Sequence, residues 1–247
     1  MLAAALVALS ISACQPTEDN NHDAISSDGK NWSCQAQNTP FAYSVCRIDA
    51  KALTDTRYSL QLFWQQSDSN ADNNQPLLTF DALLAALPSN KTLNFELRAL
   101  NIKEGGGNFH LLPNGVMWWD KSGKVKITES KMLDNQLKSG NAQPWYATQS
   151  GPMLVIDNEI HPQFKPNSTS LKLRNGAGVC SDGSIQFVNS EAPVSFYQFA
   201  ALFKDELSCP NALFLDGGIA SALYAPSIDK HDKKEMGVMI GLIETKN

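Results

Sequence analysis

Phe214-Leu215-Asp216-Gly217-Gly218 closes an apolar run that begins at Ala212. An uncharged stretch ended by a carboxylate and two glycines reads as a buried strand that delivers Asp216 to the end of a sheet. The glycines would leave backbone N–H groups bare, so that a ligand can approach closely. The plainer alternative is an Asp-Gly turn between two strands.

Three other segments share this form, a polar residue next to glycines. They are Gly105-Gly106-Gly107-Asn108-Phe109-His110, Thr148-Gln149-Ser150-Gly151-Pro152-Met153 and Arg174-Asn175-Gly176-Ala177-Gly178-Val179. The guanidinium of Arg174 offers a planar fork of donors that matches a phosphodiester, and Gly176 and Gly178 would let backbone amides close in. A surface salt bridge is the other reading of Arg174. Asn108 could bond sugar hydroxyls. His110 could bond phosphate or act as an acid near neutral pH, or sit satisfied in a strand. Asp216 suits an acid/base, an electrostatic stabiliser or a metal ligand. Glycoside cleavage usually needs two carboxyl groups, and Glu191, between a strand pattern and a capped helix, is the second candidate. A solvated loop carboxylate is the alternative for Glu191.

The remaining pattern gives the fold class. Residues 58–64 alternate as a half-buried strand, and residues 67–75 mimic a calcium loop without its turn glycine or closing Glu. Thr79 caps a short helix that Pro88 ends. Residues 109–119 read as a hairpin turning at Pro113-Asn114-Gly115. Lys121-Ser122-Gly123-Lys124 should turn into a strand at 125–128, and further strands are expected at 146–150 and 153–156. Residues 178–180 and 185–189 should pair around Asp182-Gly183. Residues 195–207 form the clearest helix, with a Ser195/Gln198 capping box and Phe196, Phe199, Ala200, Phe203 and Leu207 on one face. A last strand falls near 237–243. Many short strands with few helices predict an α+β fold, a mixed, mostly antiparallel sheet with helices packed on it.

The N-terminal residues carry an export pattern. Residues 2–11 are apolar and too short to span a bilayer, and Ile11-Ser12-Ala13-Cys14 resembles a bacterial lipobox, although no Lys or Arg precedes it. This predicts a signal peptide at 1–13, a lipidated Cys14, a polar tether at 14–31 and one folded domain at 32–247. The place is then the bacterial cell envelope, facing the periplasm, with the outer membrane favoured. Setting Cys14 aside leaves four cysteines, which suits two disulfides in an oxidising compartment. Of three pairings, Cys34–Cys46 and Cys180–Cys209 are expected; the first closes a short loop and the second ties a strand end to a helix end. The net charge of −5 and the lack of a basic block exclude nucleic acid as a main partner. No C-x-x-C or HExxH spacing occurs, so zinc-site readings have no support. No cofactor is required, and a divalent metal stays open.

The ordered motifs "GGGNFHLLPNGV", "ATQSGPMLV", "RNGAGVC" and "LFLDGG" resemble the phosphodiester glycosidase family, the domain of the mammalian uncovering enzyme, in its exported bacterial branch. The resemblance implies a mixed α/β fold and hydrolysis of the bond between a sugar's anomeric carbon and a phosphodiester. Carried over by motif, Arg174, Asp216, Gly217 and Gly218 match pocket elements, with Ser150 and Gly151 alongside. One departure is internal. Family members carry an Asn-Ala-Gly segment and a loop before the glycine cluster, whereas here Leu93-Asn94-Phe95 runs directly into Glu96-Leu97-Arg98. Two functions follow: an envelope hydrolase of sugar phosphodiesters, or an inactive lipoprotein that holds an envelope glycan or anionic polymer in the same pocket. A third reading is a small structural lipoprotein. The expected partners are therefore a sugar phosphodiester or envelope glycan, and a membrane through the lipid anchor.

Overall fold

Alternation of apolar and polar residues makes strands the dominant element after Asn31. The computed structural model describes residues 31–54, 56–63, 79–99, 111–217, 221–233 and 238–246, with residues 80 and 94–99 through their backbone. In chain order the strands begin with β1 (Trp32–Gln37), β2 (Tyr43–Ile48), β3 (Tyr58–Phe63), β4 (Lys91–Ala99) and β5 (Gly115–Trp119). They continue through β6 (Val125–Glu129), β7 (Tyr146–Ser150), β8 (Met153–Ile156), β9 (Glu159–Ile160) and β10 (Arg174–Val179). The last five are β11 (Ile185–Ser190), β12 (Asn211–Gly217), β13 (Leu223–Ala225), β14 (Lys230–His231) and β15 (Val238–Thr245). They form a seven-stranded sheet in the order β1-β2-β11-β10-β12-β8-β9, a five-stranded sheet β14-β13-β4-β15-β3 and a three-stranded sheet β6-β5-β7. With a few short helices on these antiparallel ladders, the fold is α+β, as expected.

The seven-stranded sheet has two apolar faces. On one, Cys46, Ile48, Ile185, Phe187, Ala177, Leu213 and Leu215 pack into one cluster with Leu60, Leu223, Ile240 and Leu242 of the five-stranded sheet and Met117 and Trp119 of the three-stranded one. On the other, Tyr43, Val45, Val188, Ala212 and Phe214 pack with Phe199, Ala200, Leu202 and Phe203. Each fully buried Val, Leu, Ile, Phe or Met side chain among these contributes about 1.5–3 kcal/mol on leaving water. The period-2 alternation assigns the residues of each strand to these two faces.

Among the described residues, three α-helices complete the architecture. Thr79 caps α1 (Phe80–Ala86) by accepting from the Ala82 N–H. The capping box at Ser195 and Gln198 opens α3 (Phe196–Ala201), which runs on as a π-helical turn over Leu202–Glu206. The sequence reading missed α2 (Ser130–Lys138), because its cap is Glu129, whose carboxylate accepts from the Met132 N–H. Glu is not among the preferred capping residues, so the start signal is faint.

Two further expectations are corrected. Residues 111–114 are loop, so the expected turn at Pro113-Asn114-Gly115 joins no pair of strands among the described residues; the turn expected at 121–124 does form and joins β5 to β6, with Gly123 at φ +83°. The RNGAG stretch is not a loop that offers its amides. It is strand β10, laddered to β11 and β12. Its glycines make room for β12, α3 and the π-helical turn: a Cβ on Gly176 would meet the Leu213 carbonyl of β12 at 2.7 Å and the Phe199 ring of α3 at 3.2 Å, and one on Gly178 would meet Phe203 at 2.8 Å. Both expected disulfides are formed. Cys34–Cys46 joins directly opposed positions of β1 and β2, and Cys180–Cys209 ties the end of β10 to the segment after the π-helical turn. Where Phe95 runs into Glu96 without the family's Asn-Ala-Gly segment, β4 continues unbroken, with Asn94 bulged out of its ladder with β15. The calcium-like loop at 67–75 and the residues before Asn31 lie outside the described residues.

Candidate functional site

Four strands of the large sheet end their inter-sheet face in a polar residue, and these residues form one row. Ser44 of β2 lies opposite Asn189 of β11. Asn189 lies opposite Asn175 of β10, and Asn175 opposite Asp216 of β12. All four are buried. Paired positions in antiparallel ladders share a face, so this row continues the apolar columns that end at Cys46, Phe187, Ala177 and Leu215. A bulge at Leu215 keeps Asp216 in register with Asn175.

Hydrogen bonds fix most of the row. The Ser44 hydroxyl donates to Glu191 Oε1 at 2.8 Å, and Asn189 Nδ2 donates to the same oxygen at 3.2 Å. Ser221 Oγ donates to Asn189 Oδ1 at 2.5 Å. Lys230 Nζ on β14, at the edge of the five-stranded sheet, reaches Glu191 Oε2 at 2.7 Å and lies 3.7 Å from Asp232. The Gly217 N–H donates to Asp216 Oδ1 at 2.7 Å. Ser150 Oγ donates to the Leu215 carbonyl at 3.0 Å, tying β7 to the strand that carries Asp216. Asn175 is wholly buried, and neither of its amide atoms has a hydrogen-bond partner among the described residues.

The electrostatics make Glu191 a fixed anion. Burial raises its pKa, but hydrogen bonds from Lys230, Ser44 and Asn189 and the charge of Lys230 outweigh that and hold it below the usual carboxylate value. Burial lowers Lys230, and Glu191 and Asp232 more than reverse it, so the ammonium is held above its ordinary value. At neutral pH the pair is charged on both sides. Glu191 therefore suits a base or an electrostatic element, not a proton donor.

The structure brings some predicted site residues together and separates others. Asp216, Gly217, Ser150 and Glu191 gather at or beside the row. Gly151 follows Ser150, and a Cβ there would meet the Asn114 side-chain amide, which would have to shift. Arg174 lies elsewhere. It neighbours Asn175 in sequence and so faces the opposite side of the sheet, where its guanidinium stacks 3.6 Å above the Phe196 ring centre. Its Nε donates to the Val194 carbonyl at 2.9 Å and an Nη to the Ser170 carbonyl at 3.3 Å. Burial lowers its pKa to about 10, so it stays charged at neutral pH. This geometry gives no support to a phosphate-holding role shared with Asp216. Asn108, His110, Gly218 and Cys14 lie outside the described residues.

Sequence reasoning missed Asn175, Asn189, Ser44, Ser221 and Lys230. The available signal was a polar residue closing each of several apolar strand patterns, Ile185–Ser190 being the clearest. Only strand register reveals that they meet.

Comparison with known proteins places this geometry in a family context. Residues 93–243 match the phosphodiester glycosidase family. The uncharacterized protein YigE of Escherichia coli (strain K12) is 37% identical over 124 residues, covering 49% of this chain and 46% of that one, so the match takes in about half of the relative's length. The catalytic domain of zebrafish N-acetylglucosamine-1-phosphodiester alpha-N-acetylglucosaminidase, auto-inhibited by its pro-peptide, superposes with a TM-score of 0.58 at 11% identity, over 88% of this chain and 82% of that one. A hypothetical protein from Synechocystis gives a TM-score of 0.52 at 13% identity, over 86% of this chain and 62% of that one. At these identities the two structures are similar in fold.

Proposed function

The chain belongs to the phosphodiester glycosidase family, and from that premise we propose that it hydrolyses the bond between a sugar's anomeric carbon and a phosphodiester oxygen. The observation that carries this reading is the buried polar row, which sets Asp216 across from Asn175 and leads through Asn189 to the ionised Glu191.

In the proposed reaction water adds to the anomeric carbon, and the bond from that carbon to the phosphate oxygen breaks. The products are the free sugar and a phosphate monoester. The departing phosphate oxygen leaves as an anion and needs no proton from the protein, so one carboxylate at the reacting carbon suffices. Asp216 takes that role: it draws the proton from water, or stabilises the positive charge that grows on the sugar ring. Glu191 and Lys230 set the field and hold the two sheets together beside it.

The chain is further proposed to act at the bacterial envelope. Residues 1–13 would be the signal peptide, Cys14 the lipidated first residue, 14–31 the tether and 32–247 the domain, with the outer membrane favoured. The lipobox-like sequence supports this, and two disulfides suit an oxidising compartment. Its partners would be a sugar phosphodiester or an envelope glycan, and the membrane through the lipid anchor.

The test is turnover on a panel of sugar 1-phosphodiesters, read as phosphate monoester released. Release from at least one member supports the reading. Binding of envelope glycan without release from any member would favour the inactive, glycan-holding alternative.

A further inference from the structure

Asn175 is the one member of the row whose side chain has no described partner. Its residue is 0% exposed, and both Oδ1 and Nδ2 lack a hydrogen bond among the described residues. Native structures pair the great majority of such groups, because an unpaired buried amide forfeits its hydration without return. The neighbours do not relieve it. Asn189 is engaged on both amide atoms, by Ser221 and Glu191. Asp216 Oδ1 accepts from Gly217, and the Ser150 hydroxyl points to the Leu215 carbonyl. Small residues border the amide along its own strand, Ala177 on the same face and Gly176 between them.

The chemistry of the group selects its complement. A carboxamide presents one acceptor and two donors on a rigid plane. A phosphodiester offers acceptors only, so it would leave the Asn175 oxygen facing another oxygen. Two adjacent hydroxyls match better, because one can donate to Oδ1 while its neighbour accepts from Nδ2. We infer that Asn175 is a specificity-determining residue, and that it reads a vicinal diol on the sugar ring beside Asp216. The inference rests on the glycosidase reading for the presence of a sugar at Asp216. It adds the substrate class: a sugar unmodified at two neighbouring hydroxyls, with the phosphate directed away from β10.

The test uses the full chain and a defined set of probes. These are the methyl phosphodiesters of glucose, galactose, mannose and N-acetylglucosamine 1-phosphate, each with its singly deoxygenated analogues. Binding is read by calorimetry, and stability by thermal melting. In the wild type, loss of either hydroxyl of one vicinal pair should weaken binding about tenfold, the effect of one lost hydrogen bond of ordinary strength. Asn175→Leu, of similar size and without polar atoms, should bind the parent sugar about as weakly as the wild type binds the deoxy analogue. It should be indifferent to that deoxygenation, and it should melt no lower than the wild type. Asn175→Ala provides the same comparison if the larger side chain does not fit.

Three results would overturn the inference. One is a wild type insensitive to every single deoxygenation or unable to bind any probe. Another is a variant as sensitive to deoxygenation as the wild type. The last is variants that melt well below the wild type yet bind in proportion to their folded fraction, which would make the amide a structural group. The two readings fail separately. Diol recognition through Asn175 without phosphate release from any probe sinks the glycosidase reading alone. Release that is unaffected in Asn175→Leu sinks this inference alone.

Discussion

Asp216 lies directly across the β10–β12 ladder from Asn175, one residue out of step with Arg174, which pairs with Gly217. That single step decides which side chains can share a site. Asn175 and Asp216 share the inter-sheet face, and Arg174 is turned into the layer of α3. The match of the Arg174 guanidinium to a phosphodiester is therefore replaced by an expectation about folding.

Arg174→Ala should destabilise the protein by about 2–4 kcal/mol, because two backbone carbonyls lose charged donors and Phe196 loses its stacked guanidinium. Chemical denaturation measures the loss. Turnover per folded molecule should stay close to wild type at low temperature. An unchanged denaturation midpoint with a raised KM would restore the substrate-binding role.

Glu191 makes stability depend on acid. Its folded pKa is lowered, so its contribution is complete above the ordinary carboxylate value and is lost as pH falls through the folded value. Lys230 has the opposite sign: its raised folded pKa gives a contribution present below the ordinary ammonium value and lost as pH rises through the folded one. Glu191→Gln should be less stable than wild type at neutral pH, and the gap should close as the pH falls below the ordinary carboxylate value and through the lowered folded one. Paired urea titrations across that range read the gap directly, and a gap that held constant would contradict the account.

The disulfides close loops of different length, with sequence separations of 12 and 29. Replacing either pair by serines should cost about 2–4 kcal/mol, and chain entropy makes the longer loop worth about 0.8 kcal/mol more. Melting of the two double variants, compared in the same buffer, checks both the size and the order. Wild-type stability in either double variant would refute the entropic argument.

For Cys14 the expectation is a change of fraction. The wild-type chain should sediment with membranes and carry a lipid mass on an N-terminal cysteine, and Cys14→Ser should remain unlipidated. Mass spectrometry of membrane-free wild-type protein that begins at an intact Met1 would defeat the anchor.

Much of the fold was legible because its signals are local. The capping box at Ser195, the strand ending at Asp216 and the two cysteine pairings needed only short-range pattern. The polar row was legible in part: Asp216 and Glu191 were singled out from the sequence, and both lie at or beside it. What stayed hidden depends on register between strands far apart in sequence. Ser44 and Asn189 are neighbours in space although 145 positions separate them, and no residue in either stretch announces the pairing. Arg174 drew attention through its charge, whereas the neighbouring Asn175 occupies the site face. A period of two makes that one-residue distinction absolute, and composition cannot see it. The glycines of RNGAG misled for a related reason. Their lack of a side chain serves Phe199 and Phe203 across the sheet, not a ligand.

The central claim is that Asp216 carries the chemistry of a phosphodiester glycosidase, and the most direct measurement is steady-state release of phosphate monoester by wild type and Asp216→Asn. The account predicts that kcat falls about 10²–10⁴-fold, the usual worth of a positioned acid or base, while KM changes little and the melting temperature holds. Turnover by Asp216→Asn at the wild-type rate would contradict it.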